Sequence, residues 1–165
     1  MSGRSNGLPR TVLGSPVHLL AFGLGAGLLP VAPGTWGSLL AVVLFWLTPA
    51  PAPALQWAVI AVAFAAGVWI CGASARRLGV HDHPGIVFDE MVAMWATLAL
   101  LPRHVAWSAA AFIAFRIMDI WKPWPIREAD HRFRGGFGIM LDDVLAAAYA
   151  AALLSSLRIL AAFLT

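Results

Sequence analysis

Residues 54–71 read ALQWAVIAVAFAAGVWIC, an apolar run without a charged side chain. At about 1.5 Å per residue, a helix over this range is about 27 Å long, close to the bilayer hydrocarbon thickness of about 30 Å. Prolines at residues 49, 51 and 53 precede the run, and proline removes a backbone donor and stops helices. This pattern predicts a helix that crosses a membrane.

The composition of the whole chain agrees with this prediction. Of 165 residues, 61% are hydrophobic and 12% are charged, against about 25% charged residues in soluble domains. The mean hydropathy is +0.81. The net charge of +3 suits loops that face anionic lipid headgroups, so we expect no nucleic-acid partner. The single cysteine, Cys71, excludes a disulfide framework within one chain.

Helix-breaking prolines divide the remaining sequence into further apolar runs. Together with the first, five runs can be interpreted as membrane-crossing helices: residues 36–47, 54–71, 86–101, 105–121 and 143–164. We therefore predict an all-α fold, a polytopic membrane helix bundle with about five transmembrane helices. The expected layout is an N-terminal cytoplasmic tail, residues 1–15, followed by one membrane-embedded domain, residues 16–165.

An earlier apolar run, residues 17–29, is too short to cross a bilayer, since its helix would be about 20 Å long. Four glycines lie in or near it. We interpret this run as a re-entrant or interfacial segment. Arg4 and Arg10 precede it, which is also typical of a signal peptide, but no convincing small-residue cleavage site follows.

The acidic residues are confined to one part of the chain, since all eight lie between Asp82 and Asp143. Residues 102–104 are the whole connection between the third and fourth runs, so these helices must be antiparallel. The start of the third run therefore lies at the same height in the membrane as the end of the fourth run. The following loop leads back to the start of the last run. Five carboxylates are therefore expected at one membrane face: Asp89, Glu90, Asp119, Asp142 and Asp143.

Most basic residues fall on the same face, with Arg103 on the other, so the positive-inside rule makes the acidic face cytoplasmic. Five carboxylates in a low dielectric must be protonated, paired with cations or bound to a metal. Oxygen ligands favour Mg²⁺, Mn²⁺ or Ca²⁺. The alternative is that these acids are helix-end charges, four of them at positive helix N-termini. Asp119 lies at the wrong end of its helix for that explanation.

Cationic side chains accompany these acids. Arg116, Asp119 and Lys122 are spaced by three residues and share a helix face that can hold a phosphate and a metal together. Lys122 and Arg127 flank a proline-stiffened run and carry charge suited to phosphate oxygens. Alternatively, these two residues snorkel beside an interfacial belt of tryptophans.

Two further segments are weaker candidates. Gly34, Thr35 and Ser38 precede the first long run, where backbone N–H groups and hydroxyls can bind an anion at a helix N-terminus, although small residues in membranes more often serve packing. His81 and His83 can supply a metal ligand or transfer a proton, or they can simply be solvated. Residues 135–138, GGFG, are expected to form a flexible turn before the last helix.

Three blocks of sequence together resemble the signature blocks of the phosphatidylglycerophosphatase A family. They are residues 29–38, LPVAPGTWGS; residues 81–90, HDHPGIVFDE; and residues 115–127, FRIMDIWKPWPIR, with residues 135–143, GGFGIMLDD. The resemblance runs from about Pro16 to the last helix. Trp36 stands where members often carry methionine, and no acidic or basic motif position departs from the pattern.

The resemblance implies a bacterial inner-membrane enzyme with a Mg²⁺ cofactor that converts phosphatidylglycerophosphate to phosphatidylglycerol and phosphate. Motifs of cysteine, aspartyl-phosphate and histidine-nucleophile phosphatases are absent from the sequence, which favours metal-assisted hydrolysis. Asp89, Glu90, Asp119 and Asp143 are the expected catalytic residues, with Asp143 or Glu90 as a possible general base. An aspartyl-phosphate route stays open. The main alternative is a divalent cation transporter or channel, and the sequence does not predict an oligomeric state.

Overall fold

The computed structural model describes residues 7–164, except for the side chains of residues 129–131 and 164. These residues form helices and connecting loops, with no strand among them. The elements are α1 (Gly7–Leu13), α2 (Pro16–Ala21), a 3₁₀ segment (Gly23–Leu28), α3 (Pro33–Leu47), α4 (Pro53–Leu78), α5 (Phe88–Ala99), α6 (Val105–Trp121), α7 (Ile126–Arg132) and α8 (Gly135–Leu164). The predicted all-α class is confirmed for this part of the chain.

Helix α5 is the centre of the bundle and packs against α3, α4, α6 and α8. Its residues 91–94, Met-Val-Ala-Met, are apolar at four consecutive positions and all are buried. A helix that is apolar all round must have neighbours on every side. The twelve residues of α5 span only about 18 Å. Its first turn lies inside the bundle, since Asp89 in that turn is buried.

Helices α4 and α8 run antiparallel and approach closely through small residues. A side chain at Gly136 would overlap the backbone carbonyl of Val68, and one at Gly72 would lie 3.0 Å from the Gly136 nitrogen. One turn further along α8, Met140 fills the space beside Gly67. Small residues at such contacts let helix backbones approach and gain van der Waals contact. The glycines of this region therefore set the position of α8 against α4.

The N-terminal elements cover the carboxyl-terminal part of α4. Nδ1 of His18 lies 2.8 Å from Oγ of the buried Ser74, which fastens α2 to α4. Gly27 packs directly on the backbone of Gly85, and a Cβ at that position would overlap the Gly85 carbonyl oxygen. Residues 17–29 thus lie mostly in a short helix and a 3₁₀ segment, and the re-entrant or interfacial placement expected from the sequence stays a prediction.

The helix bounds correct two details of the sequence interpretation. Residues 135–138 are the first turn of α8 and not a turn before it, so Asp142 and Asp143 lie about two helical turns inside this helix. Only α4 and α8 of the described helices are long and apolar enough to cross a membrane by length and composition. Helices α3, α5 and α6 have 15, 12 and 17 residues, so length alone does not give five spans.

Residues 1–6 of the expected tail, including Arg4, lie outside the described residues, which begin at Gly7. The described part of that tail is helix α1, and its Val12 is fully buried in a hydrophobic cluster with residues of α2 and α4.

Candidate metal centre

Three carboxylates from two helices meet beneath the N-terminal elements. Asp89 and Glu90 belong to the first turn of α5, and Asp143 belongs to α8. One carboxylate oxygen from each lies within 4.8 Å of the other two. Asp89 and Asp143 are only 6% and 4% exposed. Helix α5 begins inside the bundle, which explains why its acidic first turn faces α8 and not solvent.

Several oxygens in this group have no hydrogen-bond partner in the structure. They are Oδ1 of Asp89, Oε2 of Glu90 and Oδ2 of Asp143, all of them buried. Three negative charges this close in a low dielectric repel one another, and buried oxygens without partners add a desolvation cost. The group therefore requires protons or a bound cation.

The donor set fits a hard divalent cation. Opposite oxygen ligands lie about 4.2 Å apart around Mg²⁺ and about 5 Å apart around Ca²⁺. Three ligands of one ion cannot all be opposite one another, so their oxygens lie about 3–4 Å apart, and the carboxylate oxygens, within 4.8 Å of one another, reach this spacing by a small side-chain movement. No described histidine or cysteine joins the group, so its chemistry is that of an oxygen-only site.

Arg116 of α6 connects this group to a fourth acid. Its Nη1 lies 2.8 Å from Oδ2 of Asp119 and 3.7 Å from Oε1 of Glu90. The same nitrogen lies 3.5 Å from Oγ of Ser38, whose hydroxyl donates to the carbonyl oxygen of Gly34. Asp119 therefore has a side-chain cation as its neighbour and lies outside the three-carboxylate group.

Asp142 is placed in a second ion pair. Its Oδ2 accepts a hydrogen bond from Nζ of Lys122, which follows the last residue of α6. Successive residues of a helix point about 100° apart, so Asp142 faces α6 while Asp143 faces α5. The five predicted acids thus lie at one end of the bundle but divide into three that converge and two that are paired with cations.

The predicted anion-binding segment at the start of α3 offers side chains to the site but few free backbone N–H groups. Pro33 has no N–H, and the amides of Thr35 and Trp36 already donate to the carbonyl oxygen of Ala32. Gly34 is packed so tightly that a Cβ would overlap Oε1 of Glu90. Ser38 is fully buried beside Arg116, whereas Thr35 is half-buried at the edge of the site.

The remaining candidates lie further out. Arg127 is exposed and lines a surface recess with Lys122, Trp121 and Trp124. Nδ1 of His83 accepts a hydrogen bond from the amide of Gly85, and its ring stacks at 5.4 Å on Phe22. His81 is exposed in the same loop. Neither histidine belongs to the three-carboxylate group.

Sequence reasoning overlooked one acid near the site. Asp82, in the loop before α5, lies close enough to interact electrostatically with Asp89 and Glu90. Asp82 stands between His81 and His83 at the start of one of the motif blocks, and this position is a usable signal. The tethering of the loop by Gly27 and Gly85, which brings Asp82 near, is visible only in the folded chain.

The profile of a family described as phosphatidylglycerophosphatase A matches residues 19–158, a range that contains every one of these acidic and basic side chains. The chain belongs to the phosphatidylglycerophosphatase A family. It is 45% identical to phosphatidylglycerophosphatase A of Escherichia coli strain K12 over 146 residues, 88% of this chain and 85% of that protein.

Two further relatives extend the comparison. Phosphatidylglycerophosphatase A of Haemophilus influenzae is 44% identical over 148 residues, 88% of this chain and 91% of that protein. A Bacteroides thetaiotaomicron protein described as a candidate phosphatidylinositol-3-phosphatase is 39% identical over 148 residues, 85% of this chain and 92% of that protein. No solved structure matches the chain.

Membership of the phosphatidylglycerophosphatase A family and the apolar surface together indicate a membrane-associated protein. The most apolar stretches of α4 and α8 are only 44% and 28% buried, whereas a core helix of a soluble protein is mostly buried. Large side chains such as Trp69, Val62 and Leu160 are exposed along these helices. Exposed apolar surface of this extent is typical of a protein that contacts lipid.

Proposed function

We propose that this protein is a lipid phosphatase that hydrolyses phosphatidylglycerophosphate to phosphatidylglycerol and phosphate with the help of Mg²⁺. The family relationship supports the reaction, because two relatives are named for it. The single observation that carries the chemistry is the group of three buried carboxylates with unpartnered oxygens, adjoining Arg116. Such a site suits a phosphomonoester brought to a divalent cation.

The cation would be held by Asp89, Glu90 and Asp143. Asp119 and Asp142 lie at the same end of the bundle and could join them if their ion pairs with Arg116 and Lys122 open. When bound, the cation would orient the phosphoryl group, neutralise part of its charge and activate water for attack. One of the three carboxylates can serve as the general base instead, with Asp143 or Glu90 in that role. An attack by a carboxylate, through an aspartyl-phosphate, is the alternative route.

The cationic side chains position the phosphoryl group. Nη1 of Arg116 already lies between Glu90 and Asp119, so the guanidinium is fixed in place before substrate arrives. Preorganised donors of this kind stabilise the charge that develops in a transition state without reorganising. Lys122 and Arg127 supply further positive charge at the outer edge, and Thr35 offers a hydroxyl there. Ser38 and Gly34 support Arg116 and Glu90 from within.

The proposed setting is the bacterial inner membrane, with residues 16–165 as one membrane-embedded catalytic domain and residues 1–15 as a cytoplasmic tail. Helices α4 and α8 cross the bilayer, and the shorter α3, α5 and α6 complete five crossings by packing between them. The acidic end faces the cytoplasm, in keeping with the surplus of basic residues at that end.

Phosphate release by purified protein in detergent tests the proposal. Wild type should release phosphate from phosphatidylglycerophosphate with Mg²⁺ and not with EDTA, and Asp89→Asn should lower the rate by about 10²-fold or more, since even an outer partner of a ligand typically contributes 10- to 100-fold. Phosphatidylinositol 3-phosphate, the lipid in the name of the Bacteroides relative, serves as the competing substrate. Faster turnover of that lipid would reassign the substrate, and no turnover of either by folded protein would overturn the proposal.

A further inference from the structure

A shallow groove runs along the outer face of α6, beside the candidate metal centre. It extends from Phe112 to Trp121, includes Ile113 and Ile117, and is closed at one side by Thr35 at the start of α3. Its lining is apolar apart from Thr35 and Arg116. The groove therefore joins an apolar surface to a charged site within one continuous depression.

Arg116 links the two environments directly. It lines the groove, yet its Nη1 contacts Asp119 and Glu90, and Glu90 is one of the three converging carboxylates. The groove's apolar residues are open on the other side, since Ile113 and Ile117 are 58% and 51% exposed. A molecule in this groove would meet charge at Arg116 and hydrocarbon surface along the helix.

We infer that this groove holds an acyl chain of the lipid phosphomonoester whose phosphate enters the carboxylate site, so that substrate arrives sideways from the bilayer between α3 and α6. This inference rests on the proposed function. A lipid must keep its chains in an apolar environment while its phosphate reaches a buried polar group. A continuous groove meets both requirements, because the chain lies against Ile113 and Phe112 while the headgroup lies at Arg116.

The direction of the groove agrees with this occupant. From Arg116, the helix leads back through Ile113 and Phe112 toward the opposite end of the bundle, and forward to Trp121 at the acidic end. A lipid of the leaflet at the acidic end has its headgroup at that end and its chains directed toward the middle of the bilayer. A headgroup at Arg116 therefore leaves Phe112 and Ile113 for the chain, while Ile117, Ile120 and Trp121 lie beyond Arg116 at the level of the headgroup.

A photoreactive lipid tests the groove without requiring turnover. The probe is a non-hydrolysable phosphonate lipid with a diazirine in its acyl chain, added to the full chain in detergent micelles. We expect the label in the peptide that contains residues 112–121, and roughly tenfold less label there in Ile113→Trp, because a blocking side chain misplaces the ligand. The matched control is Leu157→Trp on α8, whose leucine is 50% exposed and lies outside the groove. It should label like wild type.

The same probe with a hydroxyl in place of the phosphonate distinguishes the substrate from bulk lipid. It should label residues 112–121 several-fold less than the phosphonate. Equal labelling by both probes, equal labelling of all lipid-facing helices, or full labelling of Ile113→Trp would each overturn the inference. Phosphate release is measured separately. Labelling of the groove without phosphatase activity would overturn the proposed function, but the groove would still be a lipid-binding site.

Discussion

Two groups of carboxylates lie at the same end of the helix bundle and differ in how their charge is balanced. Asp119 and Asp142 each contact a basic side chain, Arg116 and Lys122 respectively. The other group, Asp89, Glu90 and Asp143, converges within 4.8 Å and leaves buried oxygens without partners. Asp119 and Asp142 thus each have a cation close by, whereas Asp89 and Asp143 have no basic partner among the described ion pairs and are joined to Arg116 only through Glu90, at 3.7 Å. This difference predicts a structural role for Asp119 and Asp142 and a ligand-binding role for the converging acids, although all five look alike in sequence.

The largest effect is expected from Asp143→Asn, which removes a member of the converging group. Phosphate release should fall by about 10²-fold or more. Without metal, the variant should be more thermally stable than wild type, because one of three repelling charges is gone. Wild type should gain stability with added Mg²⁺, by about 2.7 kcal/mol at a hundred times the dissociation constant, and the variant should gain far less. Thermal unfolding with Mg²⁺ and with EDTA measures both quantities, and an unchanged Mg²⁺ response would remove Asp143 from the site.

Removing the shared cation should be the next most damaging change. Arg116→Ala leaves Asp119 and Glu90 without it, and breaking a buried pair from one side typically costs about 3–5 kcal/mol. The double variant Arg116→Ala with Asp119→Ala should recover much of this stability while staying inactive. Denaturant unfolding in detergent, alongside phosphate release, separates the two effects. A double variant as unstable as the single one would contradict the assigned pairing.

Asp142→Asn should have a smaller effect than Asp143→Asn, although the two residues are adjacent. Its carboxylate is held by Lys122, so we expect about a tenfold loss of phosphate release and a Mg²⁺ response of wild-type size. The Mg²⁺ concentration that gives half-maximal activity is the quantity to compare. A loss equal to that of Asp143→Asn would mean that Asp142 leaves Lys122 and binds the metal during the reaction.

The smallest effect on activity is expected at the opposite end of the bundle. Arg103 donates to the carbonyl oxygens of Phe45 and Thr48 and stacks on the Phe45 ring at 4.4 Å. Arg103→Met should therefore lower stability by about 1–3 kcal/mol, through the lost hydrogen bonds of a charged group and the lost cation–π contact. Phosphate release at a temperature where the variant is folded should stay within about twofold of wild type. A large loss of activity would show that the two ends of the bundle are coupled.

Much of the site could be predicted from connectivity. The three residues between the third and fourth apolar runs force these helices to be antiparallel, and this alone brings Asp119 to the level of Asp89 and Glu90. Where the sequence interpretation failed, local propensity was outweighed by tertiary contact. Glycine weakens an isolated helix, so residues 135–138 looked like a turn. In the folded chain Gly136 packs against the backbone of α4 and opens the last helix instead.

By itself, the sequence determined the all-α class, the positions of the helix-breaking prolines, the family, and the gathering of acids at one end of the bundle. The family follows from the motif blocks, and the other features follow from the length of the apolar runs, the chemistry of proline and the short connections, all of which are local in sequence. Only the tertiary structure decided which acids are paired and which converge. Asp142 and Asp143 are identical neighbours in sequence, but they point about 100° apart around α8, and the helices packed on either side give one a lysine and the other two carboxylates.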